Sequence, residues 1–408
     1  MKREVRFISI ILFLLLQVVR VDAAPFRYGI DMVASGNGPC TCKELKGKRV
    51  GFITNAAALS VKGEPSWRAL VRRGIDLKFI MAPEHGFSLG AAAGQRVSDA
   101  VIADSIRVYS LYGATQKPDP VLLQRIDLLA FDLQDVGARC YTYISTMKLA
   151  MEACERAGTT FLVFDRPNPV APLPAAGFML EPGMESFVGA AEIPFLHGMT
   201  VGEIAMWLQQ TRFPGLKLEV VRMRGYSHGR FADEIEGFRF VPPSPNIRDI
   251  DTAIVYPATV MLEATAVSEG RGTDAPFATI GAPFVDPAIL KAELDRFGLP
   301  GVGFAETTFT PSSSKFAGRR CGGVRIGVSD RRLFDPFKTS TAILLSLQKL
   351  YPRVLGIDRN AAFFDRLAGT ARYRIMILGQ RPIAEILEAA RAPVAAFEKS
   401  WPDRFLYP

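Results

Sequence analysis

The sequence lacks the motifs that mark the common nucleotide-dependent enzymes. No Gly-x-Gly-x-x-Gly follows the first predicted strand, and Gly-x-x-x-x-Gly-Lys-Ser/Thr occurs nowhere, which argues against an enzyme of dinucleotides or ATP. Three histidines scattered over 408 residues do not indicate a metal site. Ser110 and Ser244 are not part of a Gly-x-Ser-x-Gly elbow, so a serine hydrolase has little support.

Cysteine and clustered basic charge are also scarce. The formal net charge is +8, but no Lys/Arg block or basic stripe with interleaved aromatics occurs, so nucleic acid is not an expected partner. Loose attraction to an anionic polymer such as the cell wall stays open.

Five cysteines permit disulfides and leave one over. Cys40 and Cys42 are too close to pair without strain, and a bridge from either to a distant cysteine stays open.

The N-terminus has the pattern of a secretory signal. Lys2, Arg3 and Arg6 precede an apolar run at residues 7–16, and the small residues Ala23 and Ala24 follow. The run is well short of the ~20 apolar residues that a spanning helix needs, which makes a membrane anchor the weaker interpretation. We predict a signal peptide at residues 1–23 and a mature protein that is exported, either periplasmic or secreted, with no membrane span.

Short apolar runs then alternate with helical patterns. Strands are predicted at residues 49–54, 77–81, 107–111, 128–131 and 160–164, and the segment 126–169 reads as strand, helix and strand. The fold class predicted is α/β: a Rossmann-like doubly wound parallel sheet domain plus a smaller α+β C-terminal domain. The first domain spans residues 24–174 or extends to about residue 240, and the second spans 175–408 and completes a cleft. Thr200 and Glu203 predict a helix that begins with a capping box.

Polar side chains follow most of the predicted strands. They are Asn55, Glu84, Asp132, Asp135, Asp165 and Asn168. Ligands of open α/β sheets bind beyond the carboxyl ends of the strands, so we expect these side chains to line one cleft. Carboxylates and amides at such an edge suit a neutral, polyhydroxylated ligand.

Glu84 and His85 are the sharpest candidates for chemistry. An acid between a buried strand and a glycine lies where a ligand would bind, and partial burial favours the protonated form that a general acid needs. Taken alone, a helix cap or an ion pair with an arginine explains Glu84 equally well.

The residues after the fourth strand could contact a ligand or serve only the fold. Tyr141 and Tyr143 could stack on a sugar face, and Arg139 could bind a carboxylate. Asp135 and Arg139 could instead form a local ion pair. Asp132 is expected to be buried and structural.

Several runs together resemble one known family. VGFITN, PEHG, YSLYG, FDLQDVGARCYTYISTM, DRPNP, HGMTVGE, PPSPN and SEGRGT, in this order between Gly29 and Tyr407, are similar to runs in the exo-acting β-N-acetylmuramidases, a glycoside hydrolase family. The resemblance implies release of terminal N-acetylmuramic acid from peptidoglycan fragments, in a cleft between a Rossmann-like domain and a smaller domain. It implies muramic acid glycosides as partners and no metal or organic cofactor. AAALS after Asn55 departs from the family's more usual polar sequence.

The same resemblance assigns expected roles. Glu84 would protonate the leaving glycosidic oxygen. Asp135 or Glu269 would be the second catalytic group, unless the acetamido group of the substrate participates. Arg139 or Arg271 would meet the lactyl carboxylate. The full set of expected substrate-binding residues is Asn55, His85, Arg139, Tyr141, Tyr143, Arg166, Asn168, His197, Asn246 and Arg271.

Two rival functions fit part of the same pattern. An exported cell-wall sugar-binding protein without catalysis would share the signal, the two α/β lobes and the polar cleft. An esterase or amidase acting on wall material would need an activated nucleophile, and none is evident in the sequence.

Overall fold

The computed structural model describes residues 25–35, 45–102 and 106–408. The predicted signal peptide and the pair Cys40 and Cys42 lie outside these residues. Among the described residues the cysteines are Cys140, Cys154 and Cys321, and all three are buried free thiols.

A seven-stranded sheet forms the first part of the molecule, with the strand order β3-β4-β2-β1-β5-β6-β7. The strands are β1 Arg49–Thr54, β2 Asp76–Ala82, β3 Ala100–Val101, β4 Arg107–Ser110, β5 Leu128–Asp132, β6 Thr160–Phe164 and β7 Leu218–Val221. Every pairing is parallel except that of the short edge strand β3 with β4. The predicted doubly wound parallel sheet is confirmed.

Helices cover both faces of this sheet. They are α1 Gly29–Ser35, α2 Ser66–Val71, α3 Pro120–Leu123, α4 Tyr143–Ala157 and α5 Val201–Thr211. The central strands are apolar on both faces because both are covered. The predicted capping box at α5 is confirmed: Thr200 Oγ1 accepts from the backbone N–H of Glu203, and Glu203 Oε2 accepts from that of Thr200.

The order of the strands explains where a ligand can enter. The chain proceeds from β1 outward to β2 and β4, and later from β5 outward to β6 and β7 on the other side. The loops that leave β1 and β5 therefore diverge, which opens a crevice beyond the carboxyl ends of the central strands.

The second part of the molecule is a smaller antiparallel sheet packed with helices. Its strand order is β8-β10-β9, with β8 Thr279–Ala282, β9 Val302–Phe309 and β10 Cys321–Val328. The helices are α6 Ile250–Thr259, α7 Pro287–Asp295, α8 Pro336–Leu350, α9 Ala361–Ala368, α10 Ala371–Leu378 and α11 Ile383–Ser400. Short 3-10 helices are Ala232–Glu234, Val260–Ala264 and Asp358–Asn360. This is the predicted smaller α+β unit.

The two parts share one hydrophobic core. The larger cluster of buried apolar residues extends from Ile53 in the first sheet through Ile254 on α6 to Trp401 near the C-terminus. Strand β7 lies beyond residue 174, so the first sheet draws on chain from both sides of that position. In the described residues, no helix is both long enough and apolar enough to cross a membrane.

Candidate active site

A cavity of about 440 Å³ lies where the loops after β2, β4 and β5 meet the second part of the molecule. The first part contributes Glu84, His85, Ala93, Gly94, Tyr112, Cys140, Tyr141, Thr142, Phe187 and Val188. The segment just before α6 and the second part of the molecule contribute Ser244, Asn246, Ile247, Tyr256, Val260, Glu263, Glu269, Arg271, Phe277, Ser314, Lys315, Phe363 and Leu367. The cavity therefore requires both parts of the chain.

Glu84 is held in this cavity by two loops. It follows β2 after Pro83, and the residue is 6% exposed. Its Oε1 accepts a hydrogen bond from the backbone N–H of Gly94 at 2.7 Å, and its Oε2 accepts one from the hydroxyl of Thr142 at 2.7 Å. A carboxyl group has more acceptor sites than these two contacts use, so the contacts orient the group and leave capacity for a ligand.

His85 and Tyr112 stand beside Glu84 in neutral forms. Burial is the main reason that the pKa of His85 is lowered; the Ala91 carbonyl and the charge of Glu84 oppose it, and the charge of Arg271 adds to it. Burial and the nearby charge of Glu84 raise the pKa of Tyr112 to about 12.

The opposite wall is a network of two acids and two bases. Arg271 contacts Glu263 through Nη2 at 2.5 Å and Glu269 through Nε at 3.2 Å. Lys315 Nζ lies 3.1 Å from Glu269 Oε2 and also donates to the carbonyls of Leu262 and Val267. Burial raises the pKa of Glu263, against the opposing charge of Arg271. Burial works to lower the pKa of Arg271, but the charges of Glu263 and Glu269 outweigh it, and the net pKa is raised.

Three non-glycine residues of the cavity have left-handed backbone conformations. They are His85 with φ 71°, Phe277 with φ 64° and Ser314 with φ 65°. Such conformations are costly for residues with a Cβ and persist where the surrounding structure enforces them, often at functional sites. Their concentration around one cavity supports its assignment as the functional site.

Apolar side chains complete the cavity. The rings of Tyr112 and Phe187 lie 5.3 Å apart at a tilt of 46°. Phe363 is 38% exposed although it is a large hydrophobic residue. Polar groups beside aromatic faces are typical of sites that bind sugars, because a pyranose ring has both hydroxyl edges and an apolar face.

Six of the residues predicted from sequence line the cavity: Glu84, His85, Tyr141, Asn246, Glu269 and Arg271. The other seven, Asn55, Asp135, Arg139, Tyr143, Arg166, Asn168 and His197, lie outside its lining and are buried. Of the polar residues expected at the strand ends, Glu84 lines this cavity and the others do not.

The two outlying arginines contact protein groups. Arg139 donates to the carbonyls of Phe178, Ile193 and Ala368 at 2.6–2.8 Å, and burial lowers the pKa of Arg139 to about 10. The suggested ion pair between Asp135 and Arg139 does not form among the described residues. Arg166 pairs with Asp132, which is buried as expected, and its Nη2 lies 3.1 Å from Asp132 Oδ2.

The remaining outlying residues connect loops. Asn55 donates to the Tyr143 hydroxyl at 3.0 Å, and that hydroxyl donates to the Pro243 carbonyl at 2.5 Å. Asn168 donates to the Met199 carbonyl and accepts from the N–H of Val170. The side chains at these strand ends form hydrogen bonds with the neighbouring loops and hold those loops in place.

Asp135 and His197 form another buried contact behind the cavity. Asp135 Oδ2 accepts from the N–H of Gly137 at 2.7 Å, and His197 Nε2 lies 3.2 Å from the same oxygen.

Sequence reasoning missed Tyr112, Thr142, Glu263 and Lys315. Tyr112 and Thr142 fall in the recognised runs YSLYG and FDLQDVGARCYTYISTM, where position alone could have suggested them. Lys315 has no comparable signal, because only the folded chain brings its loop to Glu269. Among the described residues, no group of three or more His, Cys, Asp or Glu side chains could hold a metal ion.

Comparisons with known proteins cover nearly the whole chain. Residues 50–251 match a family model described as the N-terminal part of the exo-β-N-acetylmuramidase NamZ, and residues 254–407 match the corresponding C-terminal part. A peptidoglycan β-N-acetylmuramidase NamZ from Bacillus subtilis (strain 168) is 40% identical over 367 residues, which are 90% of this chain and 88% of the relative.

Two crystal structures of DUF1343 family proteins from Bacteroides fragilis NCTC 9343 are similar. Their TM-scores are 0.84 and 0.73, at 30% and 27% identity. Both alignments cover 94% of this chain and 99% of the other.

Proposed function

Because the chain belongs to the exo-β-N-acetylmuramidase family, we propose that its cavity binds a terminal N-acetylmuramic acid residue and that Glu84 is the proton donor. The protein is a glycosidase that releases N-acetylmuramic acid from the end of peptidoglycan fragments. The residues of the cavity divide this reaction among protonation, charge stabilisation and recognition of the sugar.

The position of Glu84 is the observation that carries the proposal. The carboxyl group is nearly buried, lines the cavity and is fixed by the N–H of Gly94 and the hydroxyl of Thr142. Cleavage of a glycosidic bond needs a proton on the departing oxygen, and a carboxylic acid held in a desolvated cavity can supply it. The two contacts limit the rotation of the acid before the sugar binds.

Glu269 is the better supported of the two carboxylates proposed for the second role. It lines the cavity, whereas Asp135 lies behind it against Gly137 and His197. Arg271 and Lys315 hold both oxygens of Glu269, which favours a fixed negative charge facing the sugar. Such a charge would stabilise the oxocarbenium-like transition state, or orient a water or the acetamido group of the substrate.

Arg271 is the proposed contact for the lactyl carboxylate. Its Nη2 and Nε bind Glu263 and Glu269, and its Nη1 makes no hydrogen bond with any described residue. A guanidinium offers five donors, so a further carboxylate can bind without displacing the first two. Arg139 is the weaker candidate, because three carbonyls surround it outside the cavity.

Turnover separates this function from that of a binding protein. The purified protein should hydrolyse a chromogenic N-acetylmuramic acid glycoside and leave the corresponding N-acetylglucosamine glycoside nearly untouched. Tight binding of the muramic acid compound without release of the chromophore would instead support the binding protein.

We also propose that the protein is exported. The support is the basic, apolar and small-residue pattern of residues 1–24. N-terminal sequencing of the accumulated protein should find a chain that begins near Ala24 outside the cytoplasmic membrane. An intact Met1 on cytoplasmic protein would contradict the proposal.

A further inference from the structure

A second, larger depression lies next to the cavity, beside the strands β3 and β4 at one edge of the seven-stranded sheet. It has a volume of about 900 Å³ and is lined by one face of β4, the loop before β3 and the segment around α3. Its basic residues are Arg96, Arg107, Lys117 and Arg125. We call this depression the basic groove.

Three of these four basic side chains have no counter-ion among the described residues. Arg96, Arg107 and Arg125 form no ion pair with any residue of 25–35, 45–102 or 106–408, whereas Lys117 pairs with Glu152 at 2.9 Å. Both acids of the groove already serve the backbone: Asp99 accepts from the N–H of Ser110, and Asp119 caps α3. Four basic residues against the two acids Asp99 and Asp119 leave the described lining of the groove with net positive charge, which favours an anionic ligand.

The floor of the groove offers an aromatic face. Arg107 and Tyr109 alternate along β4, Leu111 follows the end of that strand, and all three line the groove. The Arg107 guanidinium lies 5.9 Å from the centre of the Tyr109 ring, and Phe79 supports that ring edge-on from 5.7 Å. Aromatic faces beside guanidinium groups suit a ligand that has both sugar rings and carboxylates.

Only a thin wall separates the groove from the cavity. In this wall the N–H of Val97 donates to the carbonyl of Tyr112 at 2.8 Å. Tyr112 faces the cavity and Val97 faces the groove. Gly94 holds Glu84 on one side, and Arg96 lies two residues farther on in the groove. The groove therefore adjoins the cavity at Tyr112.

We propose that the basic groove binds the continuing glycan strand beyond the bond that is cut, through the carboxylates of its internal muramic acid residues. This inference rests on the proposed function of the cavity. It assigns a preference for long glycan substrates to residues that take no part in cleaving the bond.

The test compares two substrates that share the same terminal N-acetylmuramic acid. One is the disaccharide with N-acetylglucosamine, and the other is a peptide-free oligosaccharide of several such repeats. The variant is Arg107→Ala/Arg125→Ala, because both residues are remote from Glu84 in sequence and make no ion pair with a described residue. The control is Arg222→Ala/Arg353→Ala, which removes two exposed arginines outside the groove.

We expect the groove variant to lose about 3–10-fold in kcat/KM on the oligosaccharide, mainly through KM, as weak exposed charge contacts would give. On the disaccharide it should stay within about twofold of the parent. The parent's preference for the oligosaccharide should decrease with added salt. The control variant should retain the preference.

Equal losses of kcat/KM on both substrates, or the same loss in the control variant, would contradict the proposed role of the groove. The proposal is also contradicted if inorganic polyphosphate binds at the groove arginines but the oligosaccharide does not compete with it. Binding of the oligosaccharide to Glu84→Gln, measured with and without the two groove substitutions, decides the question without turnover. A parent protein that cleaves neither substrate contradicts the proposed function, while the binding measurement still tests the groove.

Discussion

Asp165 and Glu84 are both nearly buried acids that follow strands of the same sheet, yet their surroundings differ. Asp165 accepts hydrogen bonds from the hydroxyls of Thr200 and Tyr407 and from the N–H groups of Arg166 and Gly202, so four protein donors occupy it. Glu84 has two donors and an open cavity beside it. A buried acid is available for chemistry only if the protein leaves some of its acceptor sites unused.

The arginines repeat this difference. Arg139 and Arg166 are buried among carbonyls or against Asp132, and they hold the fold together. Arg271 also pairs with acids, but it does so on the wall of the cavity. If structural and cavity-lining charges differ in this way, substitutions of the first kind should change stability and substitutions of the second kind should change activity.

The largest effect on stability is expected from Arg166→Met, which leaves Asp132 charged and buried. Loss of one partner of a buried ion pair should lower the free energy of unfolding by about 3–5 kcal/mol. The double variant Arg166→Met/Asp132→Asn should recover part of this loss, and the folded fraction of each should keep kcat/KM near the parent. Urea unfolding and kinetics check both parts. A stable Arg166→Met protein that has lost activity would instead show that Arg166 acts in the active site.

A smaller effect concerns pH and Asp165. Burial, and then the charge of Glu203, raise the pKa of Asp165 to about 7 from 3.8. The folded state therefore binds a proton more tightly than the unfolded chain, and this stabilisation is lost as pH rises from about 4 to about 7. Asp165→Asn should flatten this part of the stability curve by on the order of 2–4 kcal/mol.

Melting temperatures of Asp165→Asn and the parent at pH 5, 6, 7 and 8 measure this difference. Parallel curves for the two proteins would show that Asp165 does not exchange its proton in this range.

Arg271→Ala should weaken the preference for muramic acid over N-acetylglucosamine. A hydrogen bond to a charged group is worth about 1.5–3 kcal/mol, which is roughly 10–150-fold in the ratio of kcat/KM values. Arg271→Lys, which retains a charge without the planar fork, should show a partial loss. Unchanged discrimination in Arg271→Ala would remove Arg271 from the recognition of the lactyl group.

The smallest effect is expected from Thr142→Val, which removes one of the two donors to Glu84. Loss of a hydrogen bond worth about 0.5–1.5 kcal/mol should reduce kcat by about 3–10-fold. Thr142→Ser keeps the hydroxyl and should stay near the parent. If Thr142→Val and Thr142→Ser behave alike, the hydroxyl does not orient Glu84.

The sequence predicts the elements of the first sheet well, because buried parallel strands are short apolar runs with clear ends. The segments 49–54 and 160–164 agree with β1 and β6, and the capping box of α5 is confirmed. The order of the strands depends on contacts between distant segments, which no local pattern contains.

The candidate site was less predictable for the same reason. Glu84 and Arg271 were identified by their motifs, but Asn55 and Asn168 have equally polar sequence contexts and bond to protein groups instead. Which partner a polar side chain meets is decided by the loop packed over it. Lys315 contacts residues 262–269 only in the folded chain, so no local sequence pattern marks it.

The central claim is that Glu84 donates the proton, and one variant tests it most directly. Kinetics of Glu84→Gln should be measured on the natural disaccharide and on a nitrophenyl glycoside, together with its melting temperature. General acid catalysis is typically worth 10²–10⁴-fold, so the variant should lose about that much on the disaccharide and much less on the activated phenol, with its fold intact. A well-folded variant with near-normal rates on the disaccharide would contradict the claim.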